Sequence, residues 1–299
     1  MKSLLLLSIL SLSSALTQAS FACDLHGKSG IVAENSLNIP VGIKAMGGIT
    51  EIQFNKVIDR VGALYTKKVA SFGGNLTFER NWTDGTVNAY AHRDDATGKI
   101  WYVSMFGGLA RHPQMTEDGF AVVVCHELGH HLGGFPKKKD PNGALRWASN
   151  EGQADYYATL KCLRNYFAGM DNASVVAKLK VPAVVTSNCQ KSFANSSEIA
   201  ICQRSAMAGF TLGNFFKVLM NTKVAVSFTT PDKTKVAATD DNHPAAQCRL
   251  DTYFQAAICD KSVRDDVSDS DGNMGTCTAR NGDKVGLRPT CWFQASSLN

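Results

Sequence analysis

The sequence predicts an α+β fold in which a small antiparallel or mixed sheet packs against several helices. Long stretches repeat apolar residues at helical spacing, whereas three shorter stretches have the length and composition of strands. The chain has 299 residues, which is enough for one large domain or two small ones. Hydrophobic residues make up 44% and charged residues 19%, a balance that argues against a largely disordered chain.

The first predicted helix and the three predicted strands lie in the first third of the chain. Residues 52–69 are expected to form an amphipathic helix. Its apolar positions are Ile52, Phe54, Val57, Ile58, Val61 and Leu64. The strands are predicted at residues 75–80, 87–92 and 99–106, and the polar residues and glycine at 94–98 mark a turn between the last two.

A second helix is predicted at residues 116–132. Thr116 is suited to cap its N-terminus, and Glu117 and Asp118 favour its first turn because acidic side chains complement the helix dipole. The glycines and prolines between residues 133 and 143 predict a loop that lets the chain reverse.

Three further helices and an irregular tail complete the predicted fold. The helices are expected at residues 148–168, 198–220 and 244–259, the last with Pro244 in its first turn. The polar, glycine-rich tail carries Cys277 and Cys291, which are expected to tie it down. The predicted organisation is a signal peptide at 1–22, one domain at 23–262 and a cysteine-containing tail at 263–299.

The first 22 residues have the composition of a secretory signal peptide, with a lysine at position 2, an apolar stretch at 4–16 and small residues before position 23. This stretch is too short to span a membrane, and no later one is long enough, so we expect no transmembrane segment after signal removal. Cys23 could carry a lipid anchor or form a disulfide, although Ser20 is not the aliphatic residue that lipidation favours. The mature protein is therefore expected to be exported, to a periplasmic or extracellular location.

Nine cysteines agree with export, because disulfides persist outside the reducing cytosol. Cys125 lies in an apolar run and is expected to be the unpaired, buried thiol, which leaves eight cysteines for four bridges. Cys248 and Cys259 share one predicted helix at about 16 Å along its axis, so they cannot pair with each other. The sequence does not fix the remaining connectivity.

The net charge of +5 does not indicate a nucleic-acid partner. The longest basic run is Lys137, Lys138 and Lys139, which is too short to follow a phosphate backbone.

The most informative motif is His126-Glu127-Leu128-Gly129-His130 on the second predicted helix. Residues four apart share a helix face, so His126 and His130 could bind one tetrahedral zinc ion. Glu127 would then lie beside the metal, where its carboxylate could accept a proton from an activated water. A helix with two ordinary, hydrogen-bonded histidines is the alternative.

Zinc also needs a third protein ligand. One class of zinc site places a histidine six residues after the second, but Pro136 occupies that position. Glu151 and Asp155 instead share a face of the following helix, so Glu151 could bind zinc while Asp155 hydrogen-bonds a ligand histidine. A solvated acidic helix face is the alternative for this pair.

The combined motifs resemble the gluzincin metallopeptidases of the CAAX-prenyl-protease and HtpX-type family, which includes soluble periplasmic members. Three more segments resemble that family: residues 87–91, residues 98–100 with 108–109, and His243-Pro244 followed by Arg249. The resemblance covers residues 87–155 and 243–249, and leaves 170–240 and the tail without a counterpart.

This resemblance implies a zincin-like fold and one Zn2+ per chain, bound by His126, His130 and Glu151. It also implies Glu127 as the general base, Asp155 as the partner of a ligand histidine, and two residues near the substrate. His243 would stabilise the oxyanion, and Arg249 would orient it.

The expected function is a secreted zinc endopeptidase that acts on polypeptides, such as unfolded or envelope proteins. Residues 99–106 are expected to offer a sheet edge to extended substrate, and residues 23–50 could occlude the cleft. The alternatives are a non-catalytic module in which zinc holds two helices together, for binding or chaperoning, and a metal-free disulfide scaffold. The presence of Glu127 favours catalysis.

Overall fold

The computed structural model describes the backbone of residues 20–21 and all of residues 30–42 and 47–295. Most of the predicted signal peptide lies outside these residues, as does Cys23 with its predicted lipid anchor or disulfide. The predicted α+β architecture is confirmed, with a small mixed sheet packed against helices.

The main sheet has four strands: β1 (Ser20–Phe21), β2 (Asn75–Asn81), β3 (Ala89–Arg93) and β4 (Ile100–Phe106). Their order is β1-β3-β4-β2, in which β2 runs parallel to β4 and the other pairs are antiparallel. The expectation that residues 99–106 form an edge strand is wrong, because β4 is hydrogen-bonded on both sides. Its alternating pattern reflects a strand with one face on the helices, which central and edge strands share.

Two long helices cover one face of the sheet. Helix α1 (Glu51–Ser71) begins at Thr50, whose side chain and that of Gln53 form a capping box. After a short turn of helix, α2 (Gly107–Ala110), helix α3 (Glu117–Leu132) begins at the predicted cap Thr116. Helix α3 is buried along its whole length from Gly119 to Leu132, since the sheet, α1 and later helices surround it.

The predicted loop at 133–143, together with the residues that follow it, contains a hairpin that sequence reasoning missed. Strands β5 (Lys137–Lys139) and β6 (Leu145–Ser149) pair antiparallel, with a register shift between Lys137 and Lys139. Three lysines in a row show no alternation of apolar and polar residues, so the sequence carries no strand signal there.

The predicted helix at 148–168 begins later and is interrupted. It consists of α4 (Glu151–Tyr157), a π-helical turn (Ala158–Cys162) and α5 (Leu163–Phe167). Asn150 caps α4 by accepting a hydrogen bond from the backbone N–H of Gln153. Short π-helical turns within helices are frequent at functional sites.

The remaining helices are α6 (Asn172–Val176), α7 (Ala183–Ser192), α8 (Ser196–Leu219) and α9 (Ala246–Ala257). Helix α8 confirms the prediction at 198–220 and packs on both α3 and α9. Helix α9 confirms the last predicted helix, but it begins after Ala245, so Pro244 precedes the helix instead of occupying its first turn.

Four disulfides join the described cysteines: Cys125–Cys162, Cys189–Cys202, Cys248–Cys291 and Cys259–Cys277. The prediction that Cys125 is unpaired is therefore wrong. The apolar run around it reflects burial of α3, and the π-helical turn brings Cys162 against the same buried face. Cys248 and Cys259 do not pair with each other, as predicted, and several disulfides are consistent with a protein outside the reducing cytosol.

The tail is irregular except for one 3-10 turn (Ala279–Asn281), and two disulfides attach it to α9 and its C-terminal end. Trp292 is fully buried, and Arg288 is 5% exposed. Arg288 donates a hydrogen bond to the Gln153 side chain on α4. Across residues 30–42 and 47–295, no helix combines the length and apolarity that a bilayer span requires.

Candidate metal centre

Three side chains that could bind one ion meet where α3 and α4 pack together. His126 and His130 come from α3 and Glu151 from the first turn of α4, and their ligand atoms lie within 4.8 Å of one another. All three are fully buried. The sequence spacing that predicted this set is thus matched by a convergent group in the fold.

One oxygen of Glu151 faces both histidines. Glu151 Oε2 lies 3.3 Å from His126 Nε2 and 3.7 Å from His130 Nε2. His126 Nε2 and Glu151 Oε2 are buried without a well-aligned hydrogen bond within the described part of the chain. Buried polar atoms normally have such partners, so this group suits a cation that would satisfy them together.

The other ring nitrogens of the two histidines contact acceptors. His126 Nδ1 lies 2.6 Å from Asp155 Oδ1, and His130 Nδ1 lies 2.8 Å from the Ser149 carbonyl oxygen. When Nδ1 donates its proton to these acceptors, the neutral ring presents the Nε2 lone pair to a metal. The structure therefore places Asp155 where the sequence predicted it.

Small residues allow the two helices to approach closely. A Cβ atom at Gly129 would lie 2.9 Å from the Ala154 carbonyl oxygen, so α3 must carry glycine at its contact with α4. Glu151 reaches the two histidines because the helix backbones lie this close. Gly129 is one of the variable positions of the His-Glu-x-x-His motif, and the motif alone does not explain its size.

Buried charged side chains lie on the Nδ1 side of His126, away from the other two predicted ligands. Arg249 on α9 donates to both oxygens of Asp155, at 2.7 and 2.8 Å, and Tyr253 donates to Oδ1. Arg249 also donates to the Ile31 carbonyl oxygen at 2.7 Å. Burial raises the pKa of Asp155, but Arg249 and His126 outweigh it and lower that pKa to about 2.

The structure places Arg249 differently from the expectation that it orients substrate or oxyanion. Its side chain is fully buried, and its contacts are with Asp155, the Ile31 backbone and the ring of Phe216. Asp155 separates the guanidinium from His126. These contacts hold protein groups in place, which the spacing after His243 could not distinguish from contact with a substrate.

His243 does reach the candidate metal centre. Its Nε2 lies 3.0 Å from Glu151 Oε2, and 15% of its side chain is exposed. The loop before α9 is held there because the Asn150 side chain bonds both the Asp240 carbonyl oxygen and the Asp241 carboxylate. The cap of α4 therefore also fixes the segment that carries His243.

Glu127, the predicted general base, is fully buried next to these groups. Its charge is close enough to contribute to raising the pKa of His126. His131 points elsewhere: its ring stacks between Trp101 and Trp147, and its Nε2 lies 3.0 Å from the Tyr102 carbonyl oxygen. It takes no part in the candidate metal centre.

The sequence reasoning missed Lys138, whose Nζ lies 3.0 Å from Glu151 Oε1. Burial raises the pKa of Glu151, but His243, Lys138 and His130 outweigh it and hold the pKa well below its ordinary value. The carboxylate is therefore ionised and available as a ligand at neutral pH.

The two ligand histidines differ in protonation before any metal binds. Burial alone lowers the pKa of His126, but the Asp155 carboxylate outweighs it and raises that pKa to about 9. Burial lowers the pKa of His130 to about 3. At neutral pH a metal ion would therefore meet a neutral His130 and would have to displace a proton from His126.

Two other groups of potential ligands in the described residues pair an aspartate with two cysteines, Cys248 with Cys291 or Cys259 with Cys277. In both groups the cysteines form a disulfide, which leaves no thiolate for a metal.

No known protein family, curated protein or solved structure matches the chain. Any functional conclusion therefore rests on the motifs and on this geometry.

Proposed function

We propose that this chain is a zinc-dependent endopeptidase. The observation that carries the proposal is the convergence of His126, His130 and Glu151 with Glu127 beside them. Two imidazoles and one carboxylate form the ligand set of a known class of catalytic zinc sites. The resemblance to gluzincin metallopeptidases supports the same assignment, including Zn2+ as the metal and a zincin-like fold.

Bound Zn2+ would supply a Lewis acid that polarises the peptide carbonyl and acidifies water. Glu127 takes the proton from the attacking water and delivers it to the leaving amine. Asp155 keeps the proton of His126 on Nδ1, so that Nε2 stays directed at the centre. His243, whose side chain is partly exposed, lies beside Glu151, where it would donate a hydrogen bond to the developing oxyanion.

The substrate is an extended polypeptide, for which unfolded or envelope proteins are the proposed source. The edge of β3 that faces away from β4 is covered by only the two-residue strand β1, whereas β4 is paired along its length with both β3 and β2. Residues 20–21 already pair antiparallel with Arg93 and His92 of β3. Peptide backbone can therefore add to this edge by the same hydrogen-bonding pattern.

The proposed location is outside the cytosol, in the periplasm or the extracellular space. The four disulfides support an oxidising compartment, and the composition of the first 22 residues supports secretion. An alternative within this proposal is a mature chain whose first residue, Cys23, carries a lipid anchor.

One observation favours the second candidate, a module in which zinc is structural. The three predicted ligands are fully buried, and His243 Nε2 is near enough to Glu151 to become a fourth ligand. A closed four-ligand site is typical of structural zinc, whereas a catalytic site keeps one position open. In that case the protein would be a binding or chaperone module.

The test compares the mature protein with Glu127→Gln, for bound zinc and for chelator-sensitive cleavage of an unfolded protein such as casein. We expect both to hold about one zinc per chain and only the unchanged protein to cleave. If both hold zinc and neither cleaves, the structural-zinc module becomes the conclusion. If neither holds zinc, both functions are wrong and the disulfide scaffold remains.

A further inference from the structure

The three consecutive lysines of β5 have three different environments. Lys137 is 4% exposed, and its ammonium contacts the Trp147 carbonyl oxygen at 2.9 Å and Asp269 at 2.5 Å. Lys138 is 8% exposed and contacts Glu151, while Lys139 is exposed. The register shift in the hairpin allows two neighbouring side chains to be buried, although alternation would send them to opposite faces.

Lys138 and the histidines contact different oxygens of the same carboxylate. Lys138 Nζ is 3.0 Å from Oε1, whereas His126 and His243 lie 3.3 and 3.0 Å from Oε2. A lysine is rarely buried unless it is paired, so this contact accounts for its position. It also fixes which carboxylate oxygen faces the ligand nitrogens.

We propose that Lys138 is a positioning residue that restricts Glu151 to one metal-binding oxygen and weakens the hold of the site on its metal. This inference rests on the proposed zinc site. With Oε1 held by an ammonium group, only Oε2 is offered to a cation, so Glu151 binds through a single oxygen. The positive charge of Lys138 also repels a divalent cation and withdraws electron density from the carboxylate.

The consequence is a metal that is held less tightly but is a stronger Lewis acid. Oε2 of Glu151 also faces His126, His130 and His243, so removal of Lys138 would release Oε1 without taking Oε2 away from the histidines. Loss of the charge repulsion should therefore outweigh loss of the contact. Mutation of groups that support metal ligands typically costs about 10- to 100-fold in metal affinity. Lys138 is cationic and opposes the metal, so we expect a change at the lower end of that range in the opposite direction.

The test measures Zn2+ affinity by competition with a chromophoric chelator, and the rate at which a chelator removes zinc, at one neutral pH. Lys138→Met and Lys138→Gln should bind zinc about 10-fold more tightly than the unchanged protein and lose it more slowly. Lys138→Arg should stay near the unchanged value, because it restores the ion pair.

Lys137→Met is the matched control, since Lys137 is also a buried, ion-paired lysine of the same strand but does not contact Glu151. Its zinc affinity should be unchanged. Equal or weaker zinc binding by both uncharged variants at position 138 would overturn the inference while leaving the zinc site intact. If the unchanged protein binds no zinc, the proposed function fails as well, so the two failures are distinguishable.

Discussion

Arg249 holds both oxygens of Asp155, at 2.7 and 2.8 Å, and both side chains are fully buried. Asp155 in turn lies 2.6 Å from Nδ1 of His126. Arg249 therefore helps to orient the predicted metal ligand His126 through Asp155, without contacting His126 itself. The ion pair links α9 to α4 and, through His126, to α3.

Arg249→Met should destabilise the protein by about 3–5 kcal/mol, because it leaves the Asp155 carboxylate buried without its counter-charge. Zinc affinity should also fall by about 10-fold or more as His126 loses its fixed orientation. Urea unfolding and chelator competition measure the two effects. The control is Arg80→Met: Arg80 is 38% exposed and pairs with Asp59 at the surface, so its loss should cost less than about 1 kcal/mol. Similar losses for both variants would contradict this assignment.

Zinc binding should depend on pH through His126. Its pKa is about 9 in the ion-free fold, so the metal must displace one proton at neutral pH. Affinity should therefore rise about tenfold per pH unit up to about pH 9 and then level off. Calorimetric titration in buffers of different ionisation enthalpy would count the released proton. An affinity that is flat across this range would show that His126 is already neutral.

The same shift predicts how pH acts on the ion-free protein. The pKa of His126 is raised on folding, from 6.5 to about 9. Its contribution to the free energy of unfolding is fully present below pH 6.5 and is lost as pH rises through about 9. Unfolding midpoints of chelator-treated protein should fall over this interval, and His126→Gln should remove the dependence. An unchanged dependence in the variant would assign it to another group.

The Cys125–Cys162 disulfide should stabilise the domain more than Cys189–Cys202 does. The cysteines are 37 residues apart in the first pair and 13 in the second. Each disulfide removes conformational entropy from the unfolded chain, which raises the free energy of unfolding by about 3 kcal/mol for the shorter loop. The longer loop should add about 1 kcal/mol to that value. Paired alanine substitutions, compared by guanidinium unfolding, measure the difference. An order opposite to this would show that strain or local packing dominates.

Two helical glycines should respond in opposite directions to alanine. A Cβ atom at Gly152 would overlap the ring of Trp292, whereas one at Gly62 would meet only Phe78 at an ordinary 3.4 Å. Gly152→Ala should cost about 1–3 kcal/mol and disturb the neighbouring Glu151. Gly62→Ala should stabilise the helix by about 0.5–1 kcal/mol. Thermal unfolding compares them, and a neutral Gly152→Ala would contradict the tight contact.

Removal of the N-terminal segment should weaken the protein instead of activating it. The Ile31 carbonyl accepts a hydrogen bond from Arg249, and the Ile31 side chain is fully buried. The free energy of unfolding of a chain beginning at Thr50 should be lower by about 1.5–3 kcal/mol, because this hydrogen bond from a charged group is lost. A chain beginning at Gly30 is the control, because it keeps the contact. Higher activity of the shorter chain would support the earlier expectation that residues 23–50 occlude the cleft.

The sequence could predict the parts of the site that depend on spacing within one helix. His126 and His130 face the same way because they are four residues apart, and Glu151 and Asp155 share a face for the same reason. Lys138 could not be predicted, because its burial depends on a hairpin register that three lysines do not encode. The role of Arg249 depends on how α9 packs against α4, which is a contact between distant parts of the chain.

The disulfide of Cys125 shows the same limit for the fold. An apolar run predicts that a cysteine is buried, but it does not predict which other cysteine is buried beside it. The partner, Cys162, lies in a π-helical turn that no residue pattern indicated. The helices and strands with strong periodicity were predicted to within a few residues, since local hydrophobic patterning decides them.

The position of Trp292 in the chain affects the order in which the protein can be completed. Trp292 packs against Gly152, directly beside Glu151, and Arg288 bonds Gln153 on the same helix. A polypeptide emerges from the ribosome N-terminus first, so α4 is made about 135 residues before the segment that packs on it. During synthesis the helix bearing Glu151 therefore lacks two of its buried neighbours. The candidate metal centre acquires its full packing only when the last part of the chain has been made.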